Sequence, residues 1–191
     1  MSDHRRTAAE AGRAIADALA SRHVPHALGG ALALGVAGVP RGTRDVDVNV
    51  FSELDRLPLV FEALESVGVR VDRDAAAARA ARDGMFVGDW DGMRIDVFVP
   101  SIPFSDEAAR TTISVTVDGW TGAFLSAEAI AVFKLLFFRP KDVGDLGQLV
   151  AVRGPDLDCG YVRRWLVEMM GEDDERVRRW DEIVARYGPR R

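Results

Sequence analysis

The sequence predicts an α/β (α+β) fold in which a mixed β-sheet is flanked by helices and is followed by a C-terminal helical bundle. Short segments up to Phe124 alternate apolar and polar side chains with the period of a strand, and they are interleaved with segments of helical period. After Phe124 the helical period alone continues. We therefore expect a sheet domain over residues 1–124 and a helical domain over residues 125–191.

Strands are expected where apolar residues recur at every second position between turn residues. Asp91-Gly92 and Asp118-Gly119 each lie between two such segments, which is typical of a β-hairpin. The expected strands are residues 24–28, 45–51, 69–71, 85–90, 93–99, 113–117 and 120–124.

Helices are expected where apolar residues recur every three or four positions. Gly29-Gly30 provides a tight turn before a short helix, Ser126 is a good N-cap, and Gly154-Pro155 and Gly171 separate the later helices. Ser52 or Asp55 could cap a further helix that ends near residue 67. The other expected helices are residues 7–22, 30–36, 127–138, 141–152, 158–170 and 173–187.

Composition limits the possible functions. The net charge of −5 and the pI near 5.3 argue against a protein that binds nucleic acid over its whole surface, although a local basic patch is compatible with them. No apolar run approaches the roughly 20 residues of a membrane span, and the single cysteine, Cys159, fits a reducing compartment. We expect a cytoplasmic protein without a membrane partner.

The segment Asp45-Val46-Asp47-Val48-Asn49-Val50 is the most informative part of the chain. A strand here would direct the valines to the core and both carboxylates to the opposite face. Oxygen ligands of this kind suit Mg²⁺, and a solvated edge strand protected by charge is the alternative. A calcium loop is excluded, because Val50 and Arg56 occupy the positions of its glycine and its closing glutamate.

Two further features accompany this strand. Asp96 lies on the second strand of the predicted hairpin, on its polar face with Arg94, so that a third carboxylate can join the first two. Gly29-Gly30 precedes a helix, and its exposed amides suit a phosphate, although a simple tight turn explains the glycines equally well.

Together these residues resemble the nucleotidyltransferase fold of the polymerase-beta superfamily. The pattern consists of Gly29-Gly30, then Thr43-Arg44-Asp45-Val46-Asp47, then Asp96. The later segment Lys134-Leu-Leu-Phe-Phe-Arg139-Pro-Lys141-Asp142-Val-Gly-Asp145 resembles a motif of the AbiEii and MenT-like nucleotidyltransferase toxins. The resemblance extends over about residues 28–149.

The resemblance implies a role for each matched residue. Asp45, Asp47 and Asp96 would hold Mg²⁺, in a site for two ions, and Asp96 would help to deprotonate the acceptor hydroxyl. Lys134 and Asp145 would be catalytic, with Lys134 on the triphosphate. Nucleotide binding would involve Gly29, Gly30, Thr43, Arg44, Lys134, Arg139, Lys141 and Asp142.

The segment from Lys134 to Asp145, here called the helical motif, also has chemical requirements that do not depend on the resemblance. Lys134 is the charged residue of an otherwise apolar helical segment, so its ammonium needs either a route to solvent or an anionic partner. Asp142 and Asp145 are three apart and share a helix face, and Asp142 alone could serve as a first-turn acid.

The implied activity is Mg²⁺-dependent transfer of NMP from an NTP to an acceptor hydroxyl. By resemblance the acceptor is the 3′ end of tRNA, and the protein is a toxin controlled by a cognate antitoxin; Arg139, Arg153, Arg163 and Arg164 could face RNA. The alternatives are transfer to a small molecule, such as an aminoglycoside, or to a protein side chain. A non-catalytic nucleotide-binding or antitoxin-like module is the alternative from another class.

Overall fold

The computed structural model describes residues 6–189, and the strands of this part form one mixed sheet. The strands are β1 (His26–Leu28), β2 (Asp45–Val50), β3 (Met85–Trp90), β4 (Met93–Phe98), β5 (Ile113–Val117) and β6 (Trp120–Phe124). Their order in the sheet is β3-β4-β2-β1-β6-β5. β2 is central, parallel to β4 and antiparallel to β1, and β1 is parallel to β6.

The two hairpins close through the turns that their sequences predict. Asp91 and Gly92 have φ values of 52° and 84°, and Asp118 and Gly119 have φ values of 48° and 76°. Positive φ at both central residues is the geometry that matches the right-handed twist of paired strands. In the sheet, β4 of the first hairpin lies directly beside β2, and β3 lies on the outer side of β4.

The helices of the described part surround the sheet or follow it. They are α1 (Ala8–Ser21), α2 (Gly30–Val36), α3 (Leu57–Ser66), α4 (Arg73–Asp83), α5 (Phe104–Arg110), α6 (Ala127–Phe137), α7 (Pro140–Arg153), α8 (Cys159–Met170) and α9 (Glu175–Tyr187). Thr7 and Glu10 start α1 with a reciprocal capping box, which satisfies amides that a helix leaves unpaired at its N-terminus. None of these helices is both long and apolar enough to cross a membrane.

Contacts between Cα atoms divide the chain into two compact units. The first contains the residues up to Leu32 together with Gly42–Leu125, and the second contains Ala33–Arg41 and the chain from Ser126 onward. The second unit thus includes a segment that precedes β2 in sequence. The sequence boundary at residue 125 does not anticipate this segment, because its assignment depends on contacts made far along the chain.

The core of the first unit lies where α1 and α3 pack on the sheet. Ile15 and Leu19 of α1 are fully buried, as are Val46 and Val48 of β2. Full burial of each such side chain contributes about 1.5–3 kcal/mol relative to exposure. The valines of β2 thus hold one face of the strand in the core, as its alternating sequence predicts.

The core of the second unit lies among α6, α7, α8 and α9. Leu135, Leu146 and Leu149 are fully buried, and Trp180 is 1% exposed. The Trp180 indole Nε1 donates a hydrogen bond of 3.1 Å to the carbonyl oxygen of Cys159, so the buried ring keeps its polar atom satisfied.

One predicted strand of the first unit is wrong. The segment at residues 69–71 forms a single bridge, between Arg70 and Asp89, instead of a strand. The reason is local: Gly68 has φ of 99°, and Asp72 already caps α4 by accepting from the Ala75 amide, so the chain leaves the sheet after one pair. Two helices of the first unit, α4 and α5, are present in the structure but are not among the predicted helices.

Candidate functional site

The three predicted metal ligands lie on adjacent strands in register. In the parallel pairing of β2 with β4, Asp45 is opposite Arg94 and Asp47 is opposite Asp96. Residues paired in this way point to the same face of a sheet. Asp45 and Asp47 are half-buried and Asp96 is 9% exposed. The sheet therefore gathers three carboxylates on the face opposite to the buried valines of β2.

Arg94 is the cation that compensates this acidic face. Its Nε atom is 2.9 and 3.0 Å from the two carboxylate oxygens of Asp96, and its terminal nitrogen is 2.7 Å from one of them. These hydrogen bonds, with the nearby charges of Asp96, Asp45 and Asp47, raise the pKa of Arg94 despite some burial. A guanidinium thus neutralises part of the cluster from within.

A further carboxylate borders the acidic face. Asp89 on β3 is opposite Arg94 in the antiparallel pairing, so it shares the face, and it forms an ion pair with Arg70. The hydrogen bond from Arg70 holds the pKa of Asp89 below its usual range. The face therefore carries four carboxylates alongside two guanidiniums.

Thr43 and Arg44 precede the first aspartate and differ in their surroundings. The Thr43 hydroxyl donates to Oδ1 of Asp45 and accepts at 3.4 Å from the Asp45 amide. Arg44 is exposed. Thr43 therefore fixes the orientation of the Asp45 carboxylate, whereas Arg44 extends into solvent.

The glycine pair packs against β2 through close backbone contact. The Gly29 amide donates a 2.9 Å hydrogen bond to the Asp47 carbonyl oxygen, and α2 starts at Gly30. A β-carbon on Gly29 would lie 2.7 Å from the side-chain nitrogen of Asn49, and one on Gly30 would overlap the Asp47 carboxylate. The glycines are therefore required for close approach to the acidic strand. Asn49 is buried beside them, a location that the alternating pattern alone does not predict.

A cleft of about 850 Å³ in the first unit lies beside Thr43 and Arg44. Its lining includes Arg6, Thr43, Arg44, Trp90 and Met93. The Arg6 guanidinium lies 4.0 Å from the centroid of the Trp90 ring, a cation–π distance. Because Thr43 both lines the cleft and contacts Asp45, a ligand in the cleft would lie beside the first aspartate.

The donor set of the acidic face fits a hard divalent cation in chemistry and register. Carboxylate oxygens are the ligands that Mg²⁺ takes in proteins. Among residues 6–189, however, no group of three or more His, Cys, Asp or Glu side chains is placed to hold a metal ion. Asp96 is turned toward Arg94, so metal binding would require this side chain to exchange its partner.

The predicted residues of the helical motif form a separate, buried ion network. Nζ of Lys134 lies 3.1 Å from Oδ1 of Asp142 and 2.6 Å from Oδ2 of Asp145, and the lysine is only 6% exposed. Arg41 Nε lies 3.4 Å from the same Asp145 oxygen. The expected anionic partner of Lys134 is thus the pair of aspartates from its own motif.

Asp142 also lies in the first turn of α7 and caps its N-terminus. Its carboxylate accepts from the Arg139 amide at 3.3 Å and from Arg139 Nε at 2.6 Å. Burial opposes ionisation of Asp142, but the hydrogen bonds and charges of Arg139 and Lys134 outweigh it and lower its pKa. Lys141 is exposed, whereas the ion pairs at the centre of this network join Lys134 to Asp142 and Asp145. Asp142 therefore acts as a helix cap and as a counter-ion at once.

Comparison with known proteins defines the fold. No protein-family model and no curated protein matches the sequence. The solution structure of the antibiotic-resistance factor ANT(2'')-Ia matches with a TM-score of 0.53 at 16% identity, over 95% of each chain. The crystal structure of ANT(2'')-Ia in complex with adenylyl-2''-tobramycin matches with a TM-score of 0.50 at 17% identity, over 92% of this chain and 95% of that one.

The chain has the nucleotidyltransferase fold. The predicted fold class is thereby confirmed. The alternating sequence predicts Asp45, Asp47 and Asp96 on polar strand faces, but no role is predicted for Arg94. The period-two pattern that puts Arg94 and Asp96 on one face was the available signal, because side chains two apart on a strand are close enough for an ion pair.

Proposed function

We propose that the protein is a Mg²⁺-dependent nucleotidyltransferase that transfers NMP from an NTP to the hydroxyl of a small, cationic acceptor. The observation that carries this proposal is the register of β2 with β4, which places Asp45, Asp47 and Asp96 on one face of a nucleotidyltransferase-fold sheet. A solvated edge strand, the alternative for Asp45 and Asp47, does not apply because β2 is central.

Each residue of the acidic face has a role in this proposal. Asp45 and Asp47 would hold Mg²⁺, which when bound activates the attacking oxygen and neutralises charge on the phosphates. Thr43 orients Asp45 through its hydroxyl. Asp96, once released from Arg94, accepts the proton of the acceptor hydroxyl as that oxygen attacks the α-phosphate and pyrophosphate leaves.

The glycine turn and the cleft would serve the substrates. Gly30 lets the Asp47 carboxylate lie against the start of α2, where the β-carbon of any other residue would overlap it. The cleft beside Thr43 and Arg44 offers a volume of about 850 Å³, which is adequate for a drug-sized ligand. Arg44 is exposed at its edge and is suited to a phosphate.

Lys134 has a different role here from the one that the toxin resemblance implies. To contact a triphosphate, its ammonium would have to leave Asp142 and Asp145, both of which are buried. Breaking such a pair leaves a buried charge without its partner, which costs several kcal/mol in the free energy of unfolding. We propose that Lys134, Asp142 and Asp145 stabilise the helical unit, with Arg139 and Arg41 at its margin.

The charge of the protein favours a cationic small molecule over tRNA as the acceptor. The net charge is −5, and the acidic face has more carboxylates than guanidiniums. Of the arginines proposed for RNA, Arg139 is paired with Asp142, and Arg163 is paired with Glu172 and Asp181. The fold neighbour solved with adenylyl-2''-tobramycin provides a precedent for such an acceptor in this fold.

The acceptor is tested by incubating the purified protein with each α-labelled NTP, Mg²⁺ and one acceptor class at a time. The classes are aminoglycosides, total tRNA, and the protein itself with added protein substrates. We expect label on an aminoglycoside-like acceptor. Label on tRNA alone would contradict the small-molecule proposal and restore the AbiEii and MenT-like toxin interpretation with its antitoxin. NTP binding without any transfer would indicate a non-catalytic module.

A matched pair of variants controls this experiment. Asp47→Asn removes one charge from the acidic face with little change in shape. Asp118→Asn makes the same chemical change on the β5–β6 turn, where φ of 48° is well tolerated by Asn. We expect Asp47→Asn to lower transfer by at least about a hundredfold and Asp118→Asn to behave like the wild type.

A further inference from the structure

Arg94 binds the carboxylate oxygens of Asp96 that a divalent cation at this site would need as ligands. Nε of its guanidinium lies 2.9 and 3.0 Å from the two carboxylate oxygens of Asp96, and a terminal nitrogen lies 2.7 Å from Oδ1. Hydrogen bonds between two ionised groups are stronger than neutral ones. The oxygens that would bind a metal ion or accept a proton are therefore engaged by a side chain of the protein.

The surroundings of Arg94 are acidic on each neighbouring strand. Asp45 on β2 and Asp89 on β3 are its direct cross-strand partners, and Asp47 is the cross-strand partner of Asp96. Arg70 neutralises Asp89 from outside the sheet. Without Arg94, the carboxylates of Asp45, Asp47 and Asp96 would repel one another, and no cation on β4 would compensate their charge.

Arg94 also has room to move. Its side chain is 54% exposed, whereas the Asp96 side chain is 13% exposed. A long, solvated arginine can adopt another rotamer at small cost, but the buried aspartate is held by its strand. An exchange of partners at Asp96 would therefore occur by departure of the arginine.

We infer that Arg94 is an intramolecular competitor of the divalent cation at this site: it neutralises Asp96 in the metal-free protein and leaves Asp96 when the cation binds. The inference rests on the proposed function, since it concerns the same three aspartates. Its consequence is a metal affinity that is weaker than the three carboxylates would give alone. The displaced guanidinium remains beside Asp45, where it can pair with a phosphate of the incoming nucleotide.

The test is Mn²⁺ binding to the nucleotide-free protein, measured by titration calorimetry or electron paramagnetic resonance, so that turnover is not the readout. We expect Arg94→Gln to bind Mn²⁺ about three- to tenfold more tightly than the wild type, because the guanidinium no longer competes for the Asp96 carboxylate. Arg94→Lys keeps the charge without the planar fork and is expected to lie between the two.

Arg73→Gln is the matched control. Arg73 likewise contacts one carboxylate, that of Glu65, through Nε and a terminal nitrogen, and its side chain is 46% exposed, but it lies on α4 instead of on a strand of the acidic face. We expect its Mn²⁺ affinity to equal that of the wild type.

The outcomes separate this inference from the proposed function. Loss of Mn²⁺ binding in Asp47→Asn, with Arg94→Gln equal to or weaker than the wild type, would overturn the competitor role and leave the metal site standing. Wild-type Mn²⁺ binding in Asp47→Asn would overturn both. Tighter binding in Arg94→Gln together with loss in Asp47→Asn supports both.

Discussion

The Asp47 carboxylate occupies the space that a β-carbon on Gly30 would need. Gly30 also has φ of 50°, in the left-handed region. Two independent constraints, conformation and space, therefore exclude a side chain where α2 begins. The residue beside the acidic strand is glycine because the carboxylate and the backbone are in contact.

Replacement of Gly30 by alanine is expected to damage both stability and activity. The left-handed conformation alone costs a non-glycine residue about 1–3 kcal/mol, and the new methyl group would displace Asp47. Urea unfolding and NMP transfer measure the two effects. Gly35 is the control within α2: among residues 6–189, no heavy atom outside its neighbours and its own helix backbone lies within 4 Å of an added β-carbon, so Gly35→Ala should raise the free energy of unfolding by about 0.5–1 kcal/mol. Equal stability of the two variants would contradict this interpretation of Gly30.

Replacement of Lys134 by methionine is expected to destabilise the protein strongly. The change leaves Asp142 and Asp145 without the ammonium that they share in a buried location, at a cost of about 3–5 kcal/mol in the free energy of unfolding. The exposed Lys141 gives the control, and Lys141→Met should stay within about 0.5 kcal/mol of the wild type. A Lys134→Met protein that unfolds like the wild type but no longer binds NTP would instead favour a nucleotide contact.

The pH dependence of stability should report Asp142. Its pKa is lowered in the folded protein, so its ionised form stabilises the fold above the unfolded-state pKa of about 4, and this contribution is lost as pH falls through the folded-state pKa. We expect Asp142→Asn to be less stable than the wild type at pH 7 and to lose less stability between pH 6 and pH 3, as denaturant midpoints measure. Asp118→Asn controls for the loss of one carboxylate. If Asp142→Asn loses as much stability between pH 6 and pH 3 as the wild type does, Asp142 does not have this role.

Replacement of Thr43 by valine is expected to loosen the Asp45 carboxylate without disturbing the fold. Valine matches threonine in shape and removes the hydroxyl that donates to Asp45. Misplacement of one ligand should lower the rate of transfer by about tenfold, and Thr43→Ser should retain most of it. Thr116→Val, which removes an exposed hydroxyl that contacts Thr121 on β6, is the control. Equal rates for Thr43→Val and Thr116→Val would show that the hydroxyl does not position Asp45.

The faces of β2 and β4 could be predicted because strand period and hairpin turns are local properties. The parallel pairing that brings Asp47 and Asp96 into register depends on long-range contacts, and these local signals do not determine it. The environment of Lys134 could be predicted only as a need for an anion, since the identity of the partner depends on how α7 packs on α6. The close contact of Gly30 with Asp47 depends likewise on tertiary approach. The segment around Arg70 shows the opposite case, where apolar alternation was present but the flanking Gly68 and Asp72 ended the strand pairing.

The central claim is that the acidic face of β2 and β4 catalyses nucleotidyl transfer. The most direct measurement compares α-labelled with γ-labelled NTP in the presence of Mg²⁺ and the acceptor, for the wild type, Asp47→Asn and Asp118→Asn. We expect the α label to move to the acceptor and the γ label to leave in pyrophosphate, and we expect Asp47→Asn alone to lose the reaction. Transfer of the γ label to the acceptor, or wild-type transfer by Asp47→Asn, would contradict it.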